Sequence, residues 1–416
     1  MRKLLFSITA IIFLIGCTTP QKTKTDIVHT NFTFASTQFD FAMSEIDSAI
    51  NKEPQADKMK REKRGQGPLV SPRSIDNQGN LIVVPSADWT SGFFPGELWY
   101  MYQYTNDVKW KDLAQKYTQP IEREKTNGKT HDMGFKMYCS FGNGYRLTGN
   151  ESYKEILLES ARTLATRYKP NAKIIRSWDH NKDKWQCPVI IDNMMNLELL
   201  FWAAKESKDS TFYNIAVNHA TTTLKNHFRA DYSCYHVIDY DTITGEVLKR
   251  NTHQGYSHES AWSRGQAWAV YGYTMCYRET QKIEFLEQAK YVVNFIFNHP
   301  NLPEDLIPYW DFDAPEIPNE PRDVSAATTT ASALYELSLY DKDNAAQYKK
   351  WADTILENLS KNYLAKPNDD YGFLLLHSTG SKPGNFEVDA PLVYADYYFL
   401  EALLRKQMLE QNGKLF

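Results

Sequence analysis

Apolar residues return along this chain at spacings of three and four, the mark of helices that bury one face. The clearest stripe is Tyr153, Ile156, Leu157, Ala161, Leu164, Ala165 and Tyr168. Other segments repeat its opening, an aromatic residue with an apolar one four positions on: Trp110 with Ala114, Tyr213 with Val217, Phe285 with Ala289, Tyr348 with Ala352. From Trp110 through Tyr153, Tyr213, Phe285 and Tyr348 the intervals are 43, 60, 72 and 63 residues. That is long for a solenoid repeat and fits a helix pair plus a variable loop. Between these segments lies a second set, richer in bulky apolar and small residues, which predicts helices over 93–105, 133–148, 193–206, 263–279, 324–340 and 390–405. A first helix near 36–52 brings the total to about twelve. Alternating inner and outer helices of that number predict an all-α (α/α)6 barrel in one domain. Strand-like runs are confined to short pieces at 81–84 and 235–238, and no linker divides the chain.

The N-terminus breaks this pattern and reads as a processing signal. Arg2 and Lys3 precede an apolar stretch over 4–14, too short to span a bilayer as a helix. Leu14-Ile15-Gly16-Cys17 then resembles a bacterial lipobox, a signal cut before the Cys, which is lipidated. The expected division is a signal peptide over 1–16, lipidated Cys17 with a polar tether over 17–35, and the barrel over 36–416. No acidic cluster follows Cys17. The expected location is therefore the periplasm, with the membrane touched only through the lipid anchor.

Hydrophobic residues make up 42% of the chain, enough for a large core. Aromatic residues make up 14%, and they serve a helical core or sugar stacking equally well, so composition does not decide between the two. The net charge is −4, with no basic face of the kind that nucleic acid requires. The basic run Lys58, Lys60, Arg61, Lys63 and Arg64 reads as a solvated face. Cys139, Cys187, Cys234 and Cys276 show no CxxC spacing for zinc, and spacing alone does not pair them as disulfides.

Polar residues cluster where the inner helices begin: 88–96, 131–135, 191–197, 252–268, 308–313 and 387–391. Any single Asp there, such as Asp88, Asp132, Asp192 or Asp323, is explained as a cap on free helical N–H groups, worth about 1 kcal/mol. Repetition changes the reading. Alternate helices of a barrel start on one rim, so acids, amides and aromatics would converge on one pocket. A sugar site needs that mix.

The segments WTSGFFPGELWYMY, HDMGF, IDNMMNLELL, SRGQAWAVYGY and EVDAPLVYADYYFLEALLR occur in order between about residues 85 and 405. Together they resemble the unsaturated glucuronyl hydrolases of glycoside hydrolase family 88. The resemblance implies that Asp192 is the general acid and base and Asp132 its essential partner, 60 residues earlier. It implies substrate binding by Gln254, by Arg264 ten residues on, by Trp268 four further, and by Trp89. His131 and His253 stand beside these motifs and join the substrate-binding set. No HxH or HExxH spacing is present, and neither metal nor cofactor is implied. In relatives that accept sulfate, a Ser-x-x-Ser pair and a nearby Lys hold it. Ser378, Ser381 and Lys382 are similar, with the Lys one place early.

The implied substrate is an oligosaccharide ending in the 4,5-unsaturated uronic acid that polysaccharide lyases leave. Its C4=C5 bond is a vinyl ether. Protonation at C4 makes C5 oxocarbenium-like, water adds there, and the hemiketal opens to release a keto acid and the shortened sugar. This differs from displacement at C1 by two carboxylates. The donor Asp must hold a proton at working pH, which calls for burial or a neighbouring carboxylate. Arg264 would bind the uronate carboxylate with its planar fork. The rival readings are a family 105 unsaturated rhamnogalacturonyl hydrolase, a non-catalytic glycan-binding lipoprotein and a helical-barrel cyclase. HDMGF and SRGQAW favour family 88, paired acids favour catalysis over binding, and a cyclase's His and Cys metal set is missing.

Overall fold

The computed structural model describes residues 26–415, so the expected signal peptide and Cys17 lie outside the described residues. Thirteen α-helices run in chain order: α1 (Ile27–Asn51), α2 (Gln55–Lys63), α3 (Phe93–Thr105), α4 (Val108–Thr118), α5 (Asn143–Thr148), α6 (Glu151–Ala165), α7 (Asn193–Ser207), α8 (Ser210–Asn226), α9 (Ser263–Thr280), α10 (Ile283–Asn298), α11 (Val324–Leu337), α12 (Ala345–Asn362) and α13 (Val393–Asn412). A wider-turned π-helical segment, Gly134–Gly142, leads into α5 and counts with it as one inner helix.

Helices α3, α5, α7, α9, α11 and α13 pack side by side in a closed ring, and α1, α4, α6, α8, α10 and α12 lie outside them. The chain is an (α/α)6 barrel. Outer helices bury a single stripe, as Trp110, Ala114 and Tyr117 do on α4. Most inner helices are buried along most of their length, and every residue of α11 is buried. Small side chains such as Ala, Ser and Thr let α11 fit between α9 and α13.

The connections differ between the two ends. At one end four inner helices reach their outer partners through two residues: Asn106-Asp107, Gly149-Asn150, Lys208-Asp209 and Gln281-Lys282. In each the first residue takes the left-handed conformation that ends a helix. Asp107, Asn150 and Asp209 then cap the next helix with their side chains. At the other rim the connections are long and carry the strands, including a sheet of Pro188–Ile190, Val237–Tyr240 and Val247–Asn251 and hairpins at Leu69–Ile75/Leu81–Pro85 and Ser378–Ser381/Phe386–Ala390. A short turn leaves no room for a site; a long loop does.

Several expected boundaries move. The first helix starts at Ile27, with Asp26 as its cap, so 27–35 is helix and not tether. The reason is a stripe that begins early: Val28, Phe32, Ala35 and Phe39 are buried, and Phe32 stacks on Tyr104 at 4.1 Å. The last inner helix starts at Val393, not 390, because Phe386–Ala390 pairs as a strand. The basic run forms α2, which buries nothing, although Arg61 is held by Glu53 at 2.6 Å.

Candidate active site

A cavity of about 350 Å³ opens on the long-loop rim. Three groups of side chains line it. Trp89, Asp132, Asp192, Arg264 and Tyr394 come from the starts of inner helices, and His131 and Gln254 stand beside them. Trp178, His180 and His253 come from the long loops. Ser381, Phe386 and Glu387 come from the last hairpin, with Arg73 from the first.

Close backbone packing brings the two acids to one place. Gly134, two residues after Asp132, lies so close to Asn196 that a Cβ would meet its Cα at 2.7 Å. The amide of Phe135 donates to Asn196 Oδ1 at 3.1 Å. The segments that carry Asp132 and Asp192 are thereby stitched together one turn below the acids.

Asp192 occupies the cap position of α7, yet its side chain makes no cap hydrogen bond. The simplest account of an Asp at a helix start therefore fails here, whereas it holds for Asp323, which caps α11 through Ser325 N at 3.1 Å. Asp192 is buried, and burial pushes its carboxyl up to about 7; Arg264 opposes the shift and the charge of Asp132 adds to it. Its Oδ2 has no hydrogen bond within the described chain. Two N–H groups face the Asp192 carboxyl without closing a bond of normal geometry to Oδ2. One is the indole of Trp268. The other is His236 Nε2, 3.8 Å from Oδ2. His236 Nδ1 accepts the amides of His253 and Gln254 at 3.0 and 3.1 Å, which assigns its proton to Nε2, the side facing Asp192. Burial holds His236 well below the ordinary imidazole range, so the ring is neutral. Asp132 is met by Thr130 Oγ1 and by His131 Nε2 at 3.2 Å.

The structure gathers most of the expected residues and corrects the parts of four. Arg264 lines the cavity but offers no open fork. Its Nη1 is held by Asp323 at 2.6 Å and by Thr379 O at 2.6 Å, and its Nη2 by Gly380 O at 2.6 Å. Buried hairpin carbonyls need donors, and Arg264 supplies them. Gln254 adds a third, to Gly380 O at 3.0 Å. Gly380 is required beneath them, since a Cβ there would meet Glu387 Oε2 at 2.4 Å. Trp268 is fully buried between Phe135 and Tyr398, each 5.5 Å away, and forms the floor rather than an open stacking face. Ser378 is turned into the core and Lys382 away from the cavity, onto Glu320 and the Trp310 ring; of that trio only Ser381 lines the site.

Sequence reasoning missed Arg73, Trp178, His180, His236 and Tyr394 as site residues. Arg73 grips Glu387 at 2.5 Å and Asp88 at 2.9 Å. Trp178, Trp185 and His253 form an aromatic wall with centroids 5.5 to 5.7 Å apart. A polar His inside the apolar run 235–238 was a usable signal for His236. Arg73 sits in a hairpin outside every helix start, and nothing local marked it. Among the described residues, no group of three or more His, Cys, Asp or Glu could hold a metal ion. All four cysteines after Cys17 are buried and free.

Residues 73–398 match Glycosyl Hydrolase Family 88. The unsaturated glucuronyl hydrolase of Formosa agariphila is 54% identical over 341 residues, 81% of this chain and 85% of that protein. The crystal structure of an unsaturated glucuronyl hydrolase specific for heparin superposes with a TM-score of 0.84 at 44% identity, over 93% of this chain and 98% of that one. A mutant unsaturated glucuronyl hydrolase of Streptococcus agalactiae, solved with dGlcA-GalNAc6S, superposes with a TM-score of 0.72 at 30% identity, over 91% of each chain.

Proposed function

Since this chain belongs to glycosyl hydrolase family 88, we propose that its rim cavity hydrates the C4=C5 bond of a 4,5-unsaturated uronic acid at the non-reducing end of a lyase-cut oligosaccharide. The activity is that of an unsaturated glucuronyl hydrolase on glycosaminoglycan oligosaccharides. In our reading Asp192 gives its proton to C4, and the carboxylate so formed takes a proton from the water that adds at C5. Asp132 and the neutral His131 orient the sugar beside it. The charge of Arg264, fixed by Asp323, faces the uronate. Trp89 covers one ring face, and the Trp178–His253 wall receives the next sugar.

The observation that carries this reading is Asp192 itself: buried, excused from capping, unpartnered at Oδ2, and protonated up to about pH 7. A general acid working near neutral pH needs those properties. Turnover in heavy water tests the chemistry. One deuteron is expected at C4 of the released keto acid, and none there would refute hydration.

We further propose that the chain is a lipoprotein held to the membrane at Cys17 and facing the periplasm, on the strength of Leu14-Ile15-Gly16-Cys17 after an apolar stretch. Cys17→Ser should release a soluble, active enzyme; unchanged membrane association of that variant would refute the anchor.

A further inference from the structure

Arg73 lines the cavity yet has no part in the reaction scheme. It stands on the first hairpin, and its guanidinium reaches two other elements. Nε and Nη2 donate to the two carboxylate oxygens of Glu387, on the last hairpin, at 2.5 and 3.1 Å. Nη1 donates to Asp88 Oδ2 at 2.9 Å. Asp88 Oδ1 in turn accepts Thr90 N at 2.9 Å and Thr90 Oγ1 at 2.7 Å, in the turn that carries Trp89 into α3. The guanidinium carbon lies 5.9 Å from the centre of the Trp89 ring and 4.9 Å from that of Phe386. Both rings line the cavity, and Phe386 is 43% exposed.

The last hairpin depends on such ties. Of residues 381–389 only Glu387 is buried, so little apolar burial holds this part of the hairpin down. Glu387 also takes the left-handed conformation, φ 53°, which a Glu adopts only where its surroundings impose it. Its carboxylate lies against Gly380, whose carbonyl holds Arg264 and Gln254. The hairpin's other ion pairs, Lys382 with Glu320 and His377 with Asp389, involve no residue of the cavity wall. All three guanidinium nitrogens of Arg73 donate to Glu387 and Asp88, so the arm is a clasp and not an open fork for the uronate. We propose that Arg73 is a positioning residue for substrate recognition: it clasps the last hairpin to the start of α3 and so fixes the spacing of Trp89 and Phe386 around the sugar. The proposal rests on the reading of the rim cavity as the site for the unsaturated sugar.

The test is KM and kcat on an unsaturated chondroitin disaccharide for the parent, Arg73→Lys, Glu387→Gln and the double variant. Arg73→Lys keeps the charge but loses the fork that spans two acids, and Glu387→Gln keeps the size of the side chain. Each should raise KM roughly tenfold, as for one charged hydrogen bond lost, and leave kcat within about threefold. The double variant should be no worse than the poorer single one, because both changes cut the same tie. Hydrogen exchange should quicken at residues 381–389 in each variant. A merely structural role would lower Tm and the active fraction and leave KM unmoved. The proposal is overturned by an unchanged KM, by kcat falling as far as KM rises, by exchange at the parent rate, or by effects that multiply in the double variant. A KM lowered in Glu387→Gln, as if a substrate-binding arginine had been freed, overturns it as well. If Arg73→Lys does not fold, Asp88→Asn takes its place, since Asn still caps Thr90 while the arm to α3 loses its charge. A parent that leaves the disaccharide intact would instead sink the reading of the cavity itself, so the two failures are distinguishable.

Discussion

The barrel has a cavity at each end, and the two handle buried charge differently. The cavity between the C-terminal halves of the inner helices measures about 300 Å³, close to the 350 Å³ of the rim cavity, and is likewise lined by buried ionisable groups. There every acid meets a partner, Glu279 Oε2 through an ion pair with Lys205 at 2.5 Å. Glu401 accepts Tyr100 OH at 2.9 Å, Tyr271 OH at 3.1 Å and Ser332 Oγ. Glu336 bridges Arg278 and Arg405, both at 3.0 Å, and Arg278 also holds Glu198. At the rim, Asp192 Oδ2, His236 Nε2, Trp268 Nε1 and His131 Nδ1 have no hydrogen-bond partner within the described chain. Satisfied networks of buried charge rigidify a fold, while buried groups left unanswered around a cavity mark a place for substrate.

The comparison breaks first at Asp192. Asp192→Asn should fold as the parent does, by circular dichroism, and lose at least ~10²–10⁴-fold in kcat, since one residue serves both proton transfers. Substantial remaining turnover would move the chemistry elsewhere. The reciprocal change at the other end is Glu336→Ala. It removes the carboxylate that Arg278 and Arg405 share, leaving them Glu198, Glu279 and Glu401, and should cost roughly 3–5 kcal/mol in urea unfolding, with kcat per folded molecule near the parent's. A catalytic defect without lost stability there would erase the contrast.

The two ends should also differ in the sign of their pH dependence. For Asp192 the folded state keeps its proton up to about pH 7, whereas the unfolded chain releases it near pH 4. Stability therefore falls as pH rises from about 4 to 7, by on the order of 2–4 kcal/mol, and Asp192→Asn escapes the loss. For Glu336, Arg278 and Arg405 outweigh burial and lower the carboxyl. Its stabilisation is present above the ordinary carboxylate range and is lost as pH falls through it. Unfolding free energies of parent and variants across pH 4–8 check both signs. For catalysis the donor must be protonated, so kcat/KM should decline as pH rises through about 7.

The smallest effect is expected within the rim, at Lys382. Its ammonium is held by Glu320 and points away from the cavity. Lys382→Ala should change kcat/KM on sulfated and unsulfated disaccharides less than about threefold, since the ion pair it breaks lies outside the cavity lining. A selective loss on the sulfated substrate would show that Lys382 swings in.

The sequence by itself determined the alternation of six inner and six outer helices and the starts of α3, α7, α9 and α11. Those depend on local periodicity, on turn residues and on caps, which short stretches of chain decide. Motif order also singled out Asp132, Asp192, Trp89, His131, His253, Gln254 and Ser381, which the fold brings to one cavity. Tertiary structure alone decided what those groups do there. Asp323 and Asp192 both stand at helix starts, yet only Asp323 caps, and it also claims Arg264. Trp268 became floor because Phe135 and Tyr398 close over it from two other helices. Arg73 and His236 acquired their surroundings from distant elements, Arg73 from Glu387, 314 positions away, and His236 from Asp192, 44 positions away. Hydrogen-bond allocation and charge state depend on which distant groups arrive first at a shared donor or acceptor, and no local pattern encodes that outcome.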